Sequence, residues 1–134
     1  MALKNYGADG ANLTVFGIPV ENFGDTDPAI TIEDIEQRST LKRGLGGTSL
    51  RMENVTVPKR VTINLLPAAP AVNQILAAAR SGVDASFKFT QSNTNERHAG
   101  FDGVLINRGQ VGRAGKTTVS DEQLIFEFAD SEET

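Results

Sequence analysis

Three consecutive residues, Gly115, Lys116 and Thr117, match the last positions of a phosphate-binding P-loop. The full motif also requires a glycine five residues before Gly115, where this chain has Gln110. In addition, the motif must open a helix, because the N–H groups at the start of a helix hold the phosphates. The residues after Thr117 predict a strand, so we expect no nucleotide-binding site here.

Residues that could bind a metal ion or transfer a proton are isolated along the sequence. His98 is the only histidine and there is no cysteine, so a zinc site would lack ligands. Asp25 and Asp27 have the spacing of calcium ligands, but Pro28 and Ala29 follow them instead of a ligand loop. The many acidic residues offer no distinguishable pair for acid–base catalysis. We therefore predict no catalytic residue, no metal site and no cofactor, and we interpret the chain as not an enzyme.

The composition limits the classes of partner. A chain of 134 residues is the size of one domain, so residues 1–134 are expected to form a single unit. Aromatic residues make up 6% and tryptophan is absent, which leaves few stacking surfaces for sugars or single-stranded nucleic acid. A net charge of −4 argues against a surface that binds nucleic acid throughout. No apolar run suggests a signal peptide or a membrane partner, and the lack of cysteine fits a reducing cytoplasm.

Charges of opposite sign are separated along the chain. Residues 1–36 contain seven acidic residues and one basic residue, and residues 118–134 contain six acidic residues and no basic one. Residues 38–60 reverse this pattern, with six basic residues and only Glu53 as an acid. One interpretation is an ordinary mixed, solvated surface. The other is a molecule with basic loops and acidic strands, which suits head-to-tail self-association.

Turn residues interrupt short apolar alternations along most of the chain, a pattern typical of an antiparallel β domain. The fold class we predict is mainly β, a sandwich or barrel-like domain with one α-helix and a long extended hairpin loop. A polar loop is expected at residues 91–100, a bulge near Asn54, and a frayed tail at residues 130–134. Strands are predicted at residues 12–16, 18–20, 30–36, 51–57, 60–66, 85–90, 101–107 and 117–129.

The helix is predicted at residues 70–80. Its apolar stripe consists of Val72, Ile75, Leu76 and Ala79, whose spacing places them on one face. Pro70 suits the first turn and Gly82 can end the helix in a left-handed conformation; these two residues therefore mark its bounds. We expect this stripe to pack on the sheet, facing strand residues such as Ile63.

A long connection joins the strand at 30–36 to the strand at 60–66. Its centre is too rich in glycine for regular structure, and it connects strands that can pair with each other. We therefore expect an extended hairpin whose tip leaves the domain and becomes ordered only between subunits. The residues assigned to this inter-subunit loop are Arg38, Leu41, Lys42, Arg43, Gly44, Leu45, Gly46 and Gly47. A second basic loop carries Arg108, Arg113 and Lys116.

The order of these features resembles that of bacteriophage tail tube proteins, in particular the tube subunits of long-tailed phages. The resemblance depends on the strand that begins Ile30-Thr31-Ile32-Glu33 and leads into the glycine-containing hairpin. It also depends on residues 60–79, which pass from a strand through a proline-containing turn into a helix, and on the last strand at 122–129, which follows a long loop. It covers nearly the whole chain as a pattern and contains no short invariant motif.

The resemblance implies a structural virion protein. In that family six copies form a ring, and rings stack into a tube that conducts DNA into the host. The implied partners are further copies of the chain, together with sheath, tail terminator, baseplate and tape-measure proteins. Genomic DNA would pass through the lumen without specific binding, and the protein would be assembled in the host cytoplasm and located in the virion tail. Two alternatives remain open: a β-sandwich module that binds carbohydrate or a receptor, and the tube of a contractile injection or type VI secretion system.

Overall fold

The structure is a computed structural model that describes residues 10–21, 23–24, 26, 28–67 and 69–133. The predicted turn around Asp25 and Asp27 lies partly outside the described residues. Within them the chain forms nine strands and one helix. The elements are β1 (Ala11–Val15), β2 (Ile18–Val20), β3 (Ile30–Asp34), β4 (Ser39–Arg43), β5 (Ser49–Glu53), β6 (Lys59–Leu65), α1 (Pro70–Arg80), β7 (Ala85–Gln91), β8 (Glu96–Arg108) and β9 (Glu122–Glu133).

Seven strands form one sheet in the order β2-β1-β7-β8-β9-β6-β3, and every neighbouring pair is antiparallel. The remaining two strands, β4 and β5, pair only with each other as a separate hairpin within the described chain. The predicted fold class, a mainly antiparallel β domain with one helix, is confirmed. The sheet is open, with β2 and β3 as its edge strands.

The two edges of this sheet approach each other at one end. Val20 belongs to edge strand β2, and Phe23 forms an isolated bridge with Leu65 of β6, next to the opposite edge strand β3. Three residues span at most about 11 Å, so the sheet must curl to bring its edges this close. The rings of Phe16, after β1, and Phe126, in β9, also meet across the interior with centroids 6.1 Å apart. The domain is therefore barrel-like without a closed ladder.

The core follows from the alternation of apolar residues along β6 and β9. Val61 lies opposite Phe126, and Ile63 lies opposite Leu124, in an unbroken antiparallel register. All four side chains are fully buried, together with Phe128. The predicted inward position of Ile63 is confirmed, and the intervening residues of both strands face outwards because successive strand side chains point to opposite faces.

The helix has the predicted bounds, Pro70–Arg80. Gly82 follows it with a φ of +80°, the left-handed conformation that a glycine adopts without steric cost. Val72 and Ile75 are buried in the same core as the sheet residues, whereas Leu76 is only partly buried at its margin. The helix therefore covers the interior of the curled sheet, and Ile75 is its central contact.

Two strands extend beyond their predicted bounds. β8 begins at Glu96, so the predicted polar loop over residues 91–100 is wrong for residues 96–100, which pair with β7. β9 begins at Glu122 instead of residue 117 and continues to Glu133, so the predicted fraying of residues 130–133 is also wrong. In both cases pairing with a neighbouring strand outweighs the polar character of the local sequence.

The hairpin strands also differ from the prediction. A strand was expected at residues 51–57 with a bulge near Asn54, but β5 spans Ser49–Glu53 and ends before Asn54. The regular pairing of β4 with β5 extends to Arg43 and Ser49, so between these two strands only the glycine-rich turn at residues 44–48 lacks strand structure. The long connection is therefore a β-hairpin with a short turn.

Candidate assembly interface

The β4–β5 hairpin extends from the end of the β3–β6 ladder. β3 and β6 pair from Ile30↔Ile63 to Asp34↔Lys59, and residues 35–38 and 54–58 connect that last pair to the hairpin. Every residue of β4 and β5 is exposed to solvent. The hairpin therefore lies outside the domain core, as expected from the sequence.

Both faces of the hairpin carry large apolar side chains. Lys42 lies opposite Leu50, and Thr40 lies opposite Met52, so these residues share one face. Leu41 lies opposite Arg51 on the other face. The exposed fractions are 59% for Leu50, 45% for Met52 and 63% for Leu41. Neither face is therefore covered by the domain itself.

The turn of the hairpin requires glycine. The N–H of Gly44 donates to the carbonyl of Thr48 at 2.7 Å and closes the turn. Gly46 and Gly47 both have positive φ, at 88° and 87°, which would strain any other residue. Leu45 stands at the apex of the turn and is completely exposed.

Such a hairpin is poorly stabilised by its own contacts. An isolated two-stranded hairpin is marginally stable in water because it has no core to bury. Large apolar side chains grouped on an exposed element mark a surface that another molecule covers. The geometry therefore identifies the β4–β5 hairpin, with Leu41, Leu45, Leu50 and Met52, as the candidate interface.

A closed cluster of four charged side chains lies at the base of the hairpin. The Arg38 guanidinium contacts Asp34 at 2.8 Å and Glu133 at 2.5 Å. The Lys59 ammonium, which is almost fully buried, contacts the same two carboxylates, with 3.1 Å to Glu133. Each carboxylate thus bridges two cations, which compensates the cost of burying Lys59.

This cluster shifts the protonation equilibria of its acidic members. Hydrogen bonds from Arg38, and next from Lys59, lower the pKa of Asp34 from 3.8 to about 2. The same two donors lower the pKa of Glu133 from 4.5 to about 2. The hydrogen bonds that Arg38 donates to Asp34 and Glu133 in turn raise the pKa of Arg38. The two carboxylates therefore remain charged down to strongly acidic pH.

The residues predicted for the inter-subunit loop do not all have the same environment. Arg38 lies at the base of the hairpin and pairs within its own chain, whereas Leu41, Lys42 and Arg43 are exposed on β4. Lys42 and Arg43 make no ion pair with any described residue. Sequence reasoning did not identify Leu50 and Met52 as surface residues. The alternation of Leu50, Arg51 and Met52 could have indicated that Leu50 and Met52 lie on the same face of a strand.

The second basic loop folds back onto the domain. Two nitrogens of Arg108 contact the buried carboxylate of Glu122, at 3.0 Å and 2.7 Å, and Arg113 contacts its other oxygen. Arg113 also donates to the carbonyl of Ser120 at 3.2 Å. Lys116 is exposed on the same loop. Arg108 and Arg113 therefore stabilise the start of β9. Of the three basic residues predicted for this loop, Lys116 is the one that remains available to contact another molecule.

A second exposed apolar group lies on β8. Val104 is 57% exposed and lies opposite Glu127 of β9, which in turn lies opposite Arg60 of β6. Arg60 contacts Glu127 at 3.1 Å and Glu33 of β3 at 3.4 Å. The exposed Val104 therefore lies next to a network of ion pairs that crosses strands β9, β6 and β3. Phe101 and Ile106, also on β8, are exposed to a similar degree.

His98, expected as a solvated loop residue, instead lies on β8. Its ring stacks on Phe89 with centroids 6.2 Å apart, and its Nε2 lies 2.7 Å from a carboxylate oxygen of Glu96. Among the described residues there is no group of three or more His, Cys, Asp or Glu side chains placed to hold a metal ion. That part of the chain also lacks a helix long and apolar enough to span a membrane.

No protein-family model and no curated protein sequence matches this chain. The fold, in contrast, matches chains in solved structures of contractile injection particles. One belongs to the sheath–tube complex of an extracellular contractile injection system, PVC, in the extended state, with a TM-score of 0.58 and 5% identity over 97% of this chain and 91% of the other.

Two further matches have higher TM-scores. A chain in the PVC sheath/tube terminator structure has a TM-score of 0.64 at 6% identity and covers 100% of this chain and 99% of the other. A chain in the structure of the anti-feeding prophage cap, a tube-terminating cap, has a TM-score of 0.61 at 8% identity over 100% and 93%. The chain therefore shares its fold with chains in these structures of contractile injection particles.

Proposed function

We propose that this chain is a structural subunit of the tube in a phage tail or a related contractile injection particle. Six copies form a ring, and rings stack into a tube through which DNA passes into the host. The observation that carries the proposal is the free-standing β4–β5 hairpin, whose apolar side chains are exposed on both faces. The fold shared with chains in the sheath–tube, terminator and cap structures supports the same function.

A second copy of the chain is the occupant that fits the hairpin. Covering both faces requires surfaces on two sides, and stacked rings of identical subunits provide them repeatedly. Strand β8 offers complementary apolar side chains, because Phe101, Val104 and Ile106 are all exposed. Burial of apolar surface on both partners supplies the free energy of association.

Charge complementarity supports self-association. Lys42 and Arg43 carry unpaired positive charge on the hairpin within the described chain. Several acidic side chains that could pair with them already form ion pairs within the same chain, including Asp34 and Glu133 at the hairpin base. Glu36 is exposed and forms no ion pair with a described residue, so it is the acceptor we assign on a neighbouring copy.

The open edges of the sheet suit a closed ring. β2 and β3 each pair on one side only in the described fold, and unpaired strand edges promote association with other strands. Strand pairing between neighbouring copies around a ring removes these edges. This arrangement would produce a channel lined by β-strands.

The negative net charge of the chain suits a channel that must release its cargo. The net charge is −4, and acidic groups on a channel wall repel DNA phosphates and prevent tight binding during passage. The proposed partners are further copies of the chain together with sheath, tail terminator, baseplate and tape-measure proteins. The protein would be assembled in the host cytoplasm and become part of the tail.

Electron microscopy of the purified protein over a range of concentrations tests the proposal. Stacked rings with six-fold symmetry support the tube function. A dispersed monomer at every concentration contradicts it, and a melting temperature that rises with a glycan would then favour the alternative of a carbohydrate-binding module. A double variant with Gly46→Val and Gly47→Val provides a control, because it distorts the turn and should prevent assembly while the core remains folded.

A tube terminator is the second candidate function. The two matches with the highest TM-scores given above come from terminator and cap structures, at 0.64 and 0.61. A terminator also forms a ring but stops the stack. Single rings that never stack, even at high concentration, would favour this candidate over the tube subunit.

A further inference from the structure

The last four residues of β9, residues 130–133, contact both segments that connect the hairpin to the sheet. We call residues 130–133 the C-terminal anchor, residues 35–38 the entry segment and residues 54–58 the return segment. Sequence reasoning predicted a frayed tail at residues 130–134. Residues 130–133 instead pair with β8, so the C-terminal anchor is attached to the main sheet.

The entry segment is attached through charge. Glu133, at the end of the C-terminal anchor, accepts Arg38 Nη1 at 2.5 Å, and Arg38 directly precedes β4. The same carboxylate contacts Lys59 Nζ at 3.1 Å, at the first residue of β6. Glu133 therefore connects the start of the hairpin to the main sheet.

The return segment is attached through hydrogen bonds. The backbone N–H of Val57 donates to a carboxylate oxygen of Asp130 at 3.3 Å. The hydroxyl of Ser131 donates to the carbonyl of Val57 at 2.7 Å. Both the backbone N–H and the carbonyl of Val57 are thus hydrogen-bonded to the C-terminal anchor.

Arg38 of the entry segment also donates to Asp34 of β3, at 2.8 Å and 3.3 Å. The backbone hydrogen bonds of the two segments join them to each other. The N–H of Ile35 donates to the carbonyl of Pro58 at 3.2 Å, and the N–H of Asn54 donates to the carbonyl of Arg38 at 2.9 Å. Such bonds keep the hairpin closed but do not define its direction relative to the sheet. Attachment at two separate points, one on each segment, does define that direction.

We propose that the C-terminal anchor sets the direction of the β4–β5 hairpin and thereby controls how readily free subunits assemble. This inference depends on the proposed function for its second half, whereas the orientation itself can be measured on the free subunit. If the hairpin without its anchor occupied the binding direction a tenth of the time, the apparent affinity between subunits would fall about tenfold.

The absence of cysteine permits a direct measurement of hairpin direction. Cysteines replace Leu45, at the apex of the turn, and Ser86, an exposed residue of β7, and both carry spin labels. The distance distribution between the labels is then recorded on the unassembled protein by pulsed electron resonance. Glu133→Ala is the test variant. Glu132→Ala is the matched control, since Glu132 is the preceding residue of the same strand and makes no ion pair in the described chain.

We expect a single narrow distribution in the parent and in Glu132→Ala, and a distribution at least about twofold broader in Glu133→Ala. Arg38→Ala, which removes the other side of the contact, should give the same broadening if Glu133→Ala fails to fold. Equal widths in the parent and in the variants would overturn the orienting role, whether or not tubes form.

Assembly is measured separately on the same proteins without labels. We expect Glu133→Ala to require about tenfold more protein than Glu132→Ala to form tubes. A broad distribution with an unchanged assembly concentration would overturn the control of assembly and leave the orienting role intact. Failure of the parent to form tubes or rings at any concentration would contradict the proposed function, and the label distances would still decide the orienting role.

Discussion

Replacing Leu50 and Met52 by serine should weaken assembly without destabilising the free subunit. In the free subunit these side chains are already 59% and 45% exposed, so their removal costs the folded monomer little. Covering the remaining apolar surface of each would contribute roughly 1 kcal/mol, about half of the value for complete burial of such a side chain. The loss of about 2 kcal/mol per subunit corresponds to about a 30-fold higher concentration for tube formation.

The assay is a sedimentation series in which the concentration of free subunit in equilibrium with tubes is measured. The matched control exchanges the two side chains, Leu50→Met with Met52→Leu, because this double variant preserves apolar volume in the same strand. We expect the control to assemble at nearly the parent concentration. If the serine variant assembled at the parent concentration with an unchanged melting temperature, this face of the hairpin would not be an assembly contact.

Three further predictions concern charge, pH and the core. Lys42→Glu with Arg43→Glu should prevent tube formation and leave the melting temperature of the monomer nearly unchanged, because both side chains are exposed in the free subunit; tubes of normal length from this variant would contradict the assigned contacts. The pKa values of Asp34 and Glu133 are lowered to about 2 by their cationic neighbours, so their contribution to stability is complete above about pH 4.5 and is lost as the pH falls towards 2. The difference in melting temperature between the parent and Glu133→Ala should accordingly shrink between pH 6 and pH 2.5, and a constant difference would argue against the charge cluster. Ile75→Ala should lower the free energy of unfolding by about 2–5 kcal/mol, measured by urea denaturation, because Ile75 is fully buried; a loss below about 1 kcal/mol would mean that the helix does not pack as described.

Much of the fold could be predicted from local patterns in the sequence. The helix has the predicted bounds because Pro70 and Gly82 mark its ends chemically, and the stripe containing Val72 and Ile75 marks its buried face. The strands with clear alternation, such as β6 with Val61 and Ile63, were also located within one residue. In these segments the local preference and the tertiary structure favour the same conformation.

The errors occur where distant parts of the chain determine the structure. Residues 96–100 are polar, and only their pairing with β7 makes them a strand. Residues 130–133 contain several acidic residues, and such a segment would fray on its own. Here Glu133 forms ion pairs with Arg38 and Lys59, which are far away in the sequence. No local pattern encodes such contacts, so the extension of β9 could not be predicted.

The candidate site was predicted in outline and not in its detail. The glycine-rich turn and the basic residues Lys42 and Arg43 were assigned to the exposed hairpin, where the structure places them. Arg108 and Arg113 looked similar in sequence, yet both contact the buried carboxylate of Glu122. The difference arises from one buried acid at the start of β9, whose burial depends on the whole sheet.

Hydrogen exchange in the free and assembled states tests the central claim that the hairpin is the assembly element. A hairpin without a core opens easily, so the amides of residues 38–53 should exchange quickly in the free subunit. In tubes the same amides should exchange slowly, because neighbouring copies cover both faces of the hairpin. The amides of β6, buried in the core, provide the internal reference and should exchange slowly in both states. Equal protection of residues 38–53 in the two states would contradict the claim.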